Sequence, residues 1–299
     1  MKIGIIGYGN MGSMIGNNIL KLDLLLNDEQ LIISNRHIEK IEHLKEEYND
    51  YYPNKLELTN DNTKIAKECE KIIISVETPQ FKGIIEEILP YINDNTHIIY
   101  TCAGLNFNHI ETFYKGKLTL IIPTFASTVT NNHSIQSNER RKGISLIQHN
   151  DKVSKEDKQY IEDLFNEFSY VRTIDKNESI TENNEIEIST ILTSCGPAFI
   201  GIIIKKLAEV ASEKSNLSYE ECEEMISKTI LGTIQLKESN NLTNEEIMNK
   251  VATKKGITQE GIDYLDESFD EIGNNLIEHL LNRYCEVKED MDNEYLYEY

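Results

Sequence analysis

The first twelve residues, Met1-Lys2-Ile3-Gly4-Ile5-Ile6-Gly7-Tyr8-Gly9-Asn10-Met11-Gly12, constrain the fold more than any other stretch. Ile3-Gly4-Ile5-Ile6 is a short continuous apolar run, the pattern of a strand buried on both faces. It leads directly into glycines at G-x-G-x-x-G spacing, and Met14-Ile15-Gly16-Asn17-Asn18-Ile19-Leu20 behind them reads as a helix. Strand, glycine turn and helix in this order predict a dinucleotide site. Gly7 permits the tight turn, Gly9 admits a pyrophosphate close to the backbone, and Gly12 lets the helix pack against the strand. The helix N-terminus presents unpaired N–H groups and the positive end of its dipole to the same anion. Tyr8, Asn10 and Met11 complete the turn.

Strand and helix patterns alternate behind this opening. Strands are expected at Gln30–Ser34, Ile72–Val76, His97–Cys102, Leu118–Ile122 and Ile144–Ile147. Helices are expected at about Ile38–Tyr48, Asp61–Lys67, Phe81–Leu89, Phe107–Phe113 and Lys155–Phe168. Such alternation means right-handed crossovers and a mostly parallel sheet, an α/β Rossmann-type domain over residues 1–170. Residues 131–142 read as a surface loop. Past about residue 175 the strand signals stop, and 182–215, 218–237, 244–252 and 259–285 carry apolar residues at three- and four-residue spacing. They predict an all-helical second domain over 171–285, with stops at Ser194-Cys195-Gly196-Pro197 and near Gly256. Residues 286–299, with six acids against one lysine, are expected to form a solvated acidic tail.

A net charge of −21 disfavours nucleic acid and anionic membranes as partners, since both demand a basic face. No apolar run reaches the roughly 18 residues a membrane span needs. The first residues lack a signal peptide's basic start and cleavage site, so a cytoplasmic address is expected. The five cysteines have no metal-ligand spacing and read as reduced, packed thiols. Cys195 reads as a small packing residue rather than a reactive thiol. The seven histidines share no i, i+4 pair, so no metal site is expected.

The end of the second predicted strand reads Ser34-Asn35-Arg36. An NAD site ordinarily carries an acid there to bind the ribose 2′-hydroxyl. Arg36 instead offers a charge-assisted partner for a 2′-phosphate, and Ser34 and Asn35 offer hydrogen-bond donors. NADPH (NADP+) is therefore expected over NADH, the alternative being a surface arginine that starts a helix.

Together with the opening GYGNMG and Asn35-Arg36, several further segments resemble pyrroline-5-carboxylate reductases. They are Val76-Glu77-Thr78-Pro79-Gln80, Ala103-Gly104, Ser194-Cys195-Gly196-Pro197-Ala198-Phe199, Thr229-Ile230-Leu231-Gly232 and the stretch from Val251 to Glu267. Within that family, Ser-Cys-Gly-Pro-Ala-Phe combined with a Lys-x-Gly-aliphatic-Thr-x-Glu-Gly turn is similar to the divergent ComER-type late-competence branch. The resemblance spans the chain apart from the acidic tail. It implies that Val76, Pro79, Cys102, Ala103 and Gly104 adjoin the cofactor. It also implies that a turn containing Thr253, Lys254, Lys255, Gly256 and Thr258 holds the substrate carboxylate.

The turn departs from the family pattern. Lys254 replaces Pro and Lys255 replaces the first Gly, while Ile122-Pro123-Thr124-Phe125-Ala126-Ser127 has lost the family's Asn near the nicotinamide. A lysine in an anion-binding turn restricts the backbone, because positive φ becomes expensive. The two lysines read either as carboxylate ligands or as surface residues. Thr258 reads as the hydroxyl that meets the imine nitrogen, as a helix N-cap, or as both. The resemblance implies NADPH-dependent reduction of L-1-pyrroline-5-carboxylate to L-proline, or of a related carboxylated imine. The alternative is a reductase-shaped competence or sporulation protein that binds NADP(H) with little turnover. A homodimer joined through Ile- and Leu-rich helices is expected, with assembly beyond the dimer left open.

Overall fold

The computed structural model describes residues 1–26, 28–48, 54–128, 142–175 and 184–297. The loop expected at 131–142 lies, except for Lys142, outside these residues. Eight strands form one sheet: β1 (Lys2–Ile6), β2 (Gln30–Ser34), β3 (Leu56–Thr59), β4 (Lys71–Ile74), β5 (His97–Tyr100), β6 (Lys117–Pro123), β7 (Ile144–His149) and β8 (Tyr170–Thr173). Their order is β3-β2-β1-β4-β5-β6-β7-β8, parallel throughout except where β7 runs antiparallel to β6. Ile5 of the central β1 pairs with Ile33 on one side and Ile73 on the other.

Alternation along each strand divides the core into two layers. Ile3, Ile5, Leu31 and Ile33 pack under α1 (Asn10–Lys21), with Ile15 and Ile19 facing them. Ile6, Ile32, Ile72, Ile74, Ile98 and Tyr100 face the opposite way, onto α3 (Asn62–Glu68) and α4 (Thr78–Ile88). The latter contribute Ile65, Phe81, Ile85 and Ile88. Because both faces are covered, the central strands are apolar at consecutive positions. The short helices α2 (His43–Tyr48) and α5 (Phe107–Ile110) and the longer α6 (Lys155–Asn166) complete the covering, and α7 (Glu185–Thr193) follows β8.

The chain divides into two compact units, one of Met1–Cys195 with Arg283–Tyr299 and one of Gly196–Asn282. The first break thus falls later than the expected residue 170. Helix α7 belongs with the sheet because Thr190 and Ile191 are buried and Ile186 packs on the second core layer. The second unit contains α8 (Gly196–Glu213), α9 (Tyr219–Asn240), α10 (Asn244–Val251) and most of α11 (Ile257–Leu296). Ser218 with Glu221, and Thr243 with Glu246, form reciprocal capping boxes that start α9 and α10. Its helices leave Ile202, Ile203, Leu207, Leu231, Ile234, Leu265, Phe269 and Ile272 exposed.

Residues 286–296 are not a solvated tail. They continue α11, and Val287, Met291 and Tyr295 recur every fourth residue, so one stripe of this acidic helix is apolar. Tyr295 is 1% exposed, inside the second core layer. Glu289 and Asp290 between them are exposed, and the high acid content is why composition alone suggests a solvated segment.

At the amino ends of β4, β5 and β6 lies a buried polar network. Thr119 Oγ1 lies 2.7 Å from His97 Nε2 and 2.8 Å from His149 Nδ1, and His149 Nε2 lies 3.3 Å from a Glu162 carboxylate oxygen. Asp157 pairs with Lys71 and, at 2.7 Å, with Lys117. Burial raises the Asp157 carboxyl, but the two ammonium groups outweigh it and hold it far below the usual carboxylate range. Burial pushes His97 down from 6.5 to about 3, helped by the Lys71 charge, and pushes His149 down to about 4. Both histidines are thus neutral when folded and return to about 6.5 when unfolded. Between those values the unfolded chain binds more protons, so stability is complete above about pH 6.5 and declines as pH falls toward 4 and then 3. Each histidine withdraws at most about 1.4 kcal/mol per pH unit in that window. Urea unfolding is expected to show a clearly lower midpoint at pH 5 than at pH 7. Equal midpoints would contradict the buried neutral pair.

Candidate functional site

The carboxyl ends of the parallel strands open into a cleft of about 830 Å³. Gly7 adopts φ +90°, a region closed to other L-residues except at a cost, and a Cβ there would lie 2.7 Å from Val76 Cγ1 and run into the Ser75 carbonyl. A Cβ on Gly12 would strike the Gly7 carbonyl, so α1 approaches the end of β1 as closely as backbones can. Gly9 differs, since a Cβ there meets nothing within 4 Å and would project into open space. Two of the glycines are therefore required by packing, and the third keeps room for a ligand. That room, at the N-terminus of a twelve-residue helix, fits a pyrophosphate.

Gly7, Tyr8, Gly9, Asn10, Met11, Ser34, Asn35, Arg36, Val76, Cys102 and Ala103 all line this cleft. Gly12 sits inside α1 behind it, and Pro79 lies in the first turn of α4, away from the lining. Gly104 does not line the cleft either. It faces the end of α11, where a Cβ would come 3.0 Å from Val287 Cγ1. The Tyr8 hydroxyl donates to Asn17 Oδ1 at 3.0 Å, which turns its ring along α1. Ser34 spends its hydroxyl on Asn62 Oδ1 at 2.7 Å, and the Asn35 amide donates to the His37 carbonyl at 2.8 Å. Arg36 is thus the charged donor at this end of the cleft.

Sequence reasoning missed His37, Asn60, Asn62, Ser75, Thr78, Gln80 and Thr101 among the lining residues. Asn60 and Asn62 follow β3, and Ser75 and Thr101 directly follow β4 and β5, so the signal for each was its place just past a strand's carboxyl end. Thr101 Oγ1 donates to Ser75 Oγ at 3.3 Å, and the Cys102 thiol donates to the Val76 carbonyl at 3.3 Å. Burial pushes the Cys102 thiol up to about 12, so it is a neutral donor and not a nucleophile. Burial also raises Cys195. Among the described residues no group of histidines, cysteines and acids is arranged to hold a metal.

The turn between α10 and α11 belongs to the second unit. The Gly256 N–H donates to the Thr253 carbonyl at 2.8 Å, and the Glu260 N–H donates to the Gly256 carbonyl at 3.2 Å. Gly256 therefore takes the N-cap position. Thr258 stands second in the helix, exposed, which corrects its alternative reading as the cap. Lys254 and Lys255 are exposed as well, and Lys255 holds φ +60°. That left-handed backbone is one glycine adopts freely and lysine adopts at a cost of about 1–2 kcal/mol. In the first unit, Ser194 Oγ donates to the Pro123 carbonyl at 3.3 Å, joining the Ser194–Phe199 segment to the divergent segment Ile122–Ser127.

Residues 183–287 match the family model for pyrroline-5-carboxylate reductase dimerisation, and residues 2–104 match that for NADP oxidoreductase, coenzyme F420-dependent. The pyrroline-5-carboxylate reductase of Methanobrevibacter smithii is 39% identical over 267 residues, covering 89% of this chain and 98% of that protein. The chain belongs to the pyrroline-5-carboxylate reductase family. ComE operon protein 4 of Bacillus subtilis is a more distant relative, 24% identical with 96% of both chains covered. Among solved structures, a pyrroline-5-carboxylate reductase from Coxiella burnetii aligns with TM-score 0.78 at 21% identity, covering 95% of this chain and 97% of that one. A Plasmodium falciparum pyrroline carboxylate reductase with NADP bound aligns with TM-score 0.74 at 20% identity, covering 96% and 98%. These two likenesses establish the reductase fold.

The glycine geometry separates folding from ligand binding. Gly9→Ala is expected to leave the thermal midpoint unchanged while weakening NADPH binding at least about tenfold, or about 1.4 kcal/mol. Gly12→Val is expected to lower the midpoint as well, since its side chain has no room. Calorimetric titration and thermal melts of both variants check this, and a Gly9→Ala protein that binds NADPH normally would contradict it.

Proposed function

We propose that the protein is a cytoplasmic NADPH-dependent reductase of L-1-pyrroline-5-carboxylate, yielding L-proline, and that it acts as a homodimer. The observation that carries this reading is the open space kept above Gly9 at the start of α1, in a chain 39% identical to a named reductase. When bound, the reduced nicotinamide supplies the hydride that adds to the carbon of the substrate's C=N bond. The chain's own task is positioning. The glycine turn and the α1 N-terminus hold the pyrophosphate, Arg36 pairs with the 2′-phosphate, and Val76, Cys102 and Ala103 wall the cleft. Thr253, Lys254, Lys255 and Gly256 are assigned to the substrate carboxylate, and Thr258 to a hydrogen bond at the imine nitrogen. Aligning donor and acceptor within reach supplies on the order of 7–11 kcal/mol of the barrier. The apolar residues exposed on α8, α9 and α11 supply a surface for a second copy, consistent with the dimerisation family model.

A second reading is favoured by one specific observation. Lys255 occupies a left-handed position in the substrate turn, where the family has glycine. A reductase-shaped protein that binds NADPH with little turnover would tolerate such a change, as would a ComER-type relative.

Purified protein is expected to oxidise NADPH with pyrroline-5-carboxylate, and to do so at lower concentrations of NADPH than of NADH. Arg36→Ala is expected to raise the KM for NADPH by about ten- to a hundredfold, equivalent to about 1.5–3 kcal/mol, and to leave that for NADH nearly unchanged. Tight NADPH binding without turnover would overturn the reductase reading in favour of the second. In that case the Lys254→Pro, Lys255→Gly variant is expected to gain activity.

A further inference from the structure

The match to the dimerisation family ends at residue 287, yet α11 continues to Leu296 and its last residues return to the first unit. Three contacts tie them to the elements beside the cleft. Val287 packs against Gly104, in the loop that follows β5 and contributes Cys102 and Ala103 to the cleft wall. Asp292 Oδ1 lies 2.7 Å from His109 Nε2. Tyr295 is buried, with its ring 5.6 Å from that of His109 and 6.0 Å from that of Phe113.

The histidine contact connects directly to the loop. His109 Nδ1 accepts the backbone N–H of Asn106 at 3.2 Å, while the Asn106 side chain accepts the backbone N–H of His109 at 3.2 Å. A ring nitrogen that accepts leaves the other to carry the proton, so Nε2–H of a neutral imidazole donates to Asp292. The same helix end also contacts α4. Lys82 of α4, the helix whose first turn brings Thr78 and Gln80 to the lining, donates to the Glu294 carbonyl at 2.8 Å.

We propose that Val287, Asp292 and Tyr295 are positioning residues for the cofactor: they hold the loop 101–106 in place against the cleft through Gly104 and His109. The proposal rests on the NADPH reading given above. None of the three lines the cleft, so their effect on binding runs through the loop. The glycine motif includes none of them, Val287 is the last residue of the dimerisation match, and Asp292 and Tyr295 lie beyond it.

The test uses the full-length protein with Asp292→Ala and Asp292→Asn variants, NADPH titrations by calorimetry, and hydrogen–deuterium exchange of residues 101–106. Asp292→Ala is expected to raise the NADPH Kd about tenfold and to speed exchange in the loop, since His109 loses its acceptor. Asp292→Asn keeps an oxygen for Nε2–H and is expected to stay within about twofold of the parent in both readouts. If Asp292→Ala binds NADPH as the parent does, the proposal fails while the cofactor reading stands. If both variants weaken binding equally, the oxygen acceptor is not what matters and the proposal likewise fails. A parent protein with no NADPH affinity overturns both together.

Discussion

The close approach of α1 to the end of β1 is the constraint on which the rest of the structure depends. It exists because neither Gly7 nor Gly12 has a side chain, and it points the first turn of α1 at the carboxyl edge of the sheet. Parallel register then gathers the neighbouring strand ends around the same spot. The Gly7 N–H donates to the Ser34 carbonyl at 3.0 Å, the Ser75 N–H to Ile6 at 2.8 Å and the Asn35 N–H to Thr59 at 3.1 Å. Strand order reverses direction beside β1, where β2 and β3 lie on one side and β4 onward on the other. A crevice outside the strand ends at such a switch point is where open α/β sheets bind ligands.

Much of this was legible in the chain because the central strands are buried on both faces. Gln30–Ser34 reads as a strand with its observed bounds, since Leu31, Ile32 and Ile33 are consecutive and apolar. The edges were not legible. Leu56–Thr59 alternates with a charge on a half-covered edge, and Tyr170–Thr173 is largely exposed, so neither carries an apolar run. The cleft shows the same division. Its glycine turn and Arg36 belong to a local motif, whereas Asn60, Asn62 and Thr101 reach it only through where their strands end. The C-terminal stripe was hidden for a different reason. Acid content dominates residues 286–296, although three apolar residues at four-residue spacing are enough to bury one face of the helix.

The two units carry different kinds of information about function. In the first, steric fit, strand topology and the position of Arg36 in the cleft lining agree on one class of ligand. The second carries the family's dimerisation segment and, between α10 and α11, a turn whose Lys255 takes a glycine's backbone conformation. Shared architecture does not fix chemistry, which depends on such local substitutions. The 39% identity to a named reductase weighs toward turnover, and Lys255 is the position where the reductase and binding-protein readings diverge.

The buried His97–Thr119–His149 network sits at the amino ends of the strands, opposite the cleft, so polar chemistry there serves the sheet and leaves the ligand edge to the glycine turn. The central claim is that a phosphorylated dinucleotide lies on that turn. The most direct measurement is a calorimetric titration of the unmodified protein with NADPH and, separately, NADH. Saturable binding of one NADPH per chain, tighter than NADH, is the predicted result, and no detectable heat with either nucleotide would contradict the account.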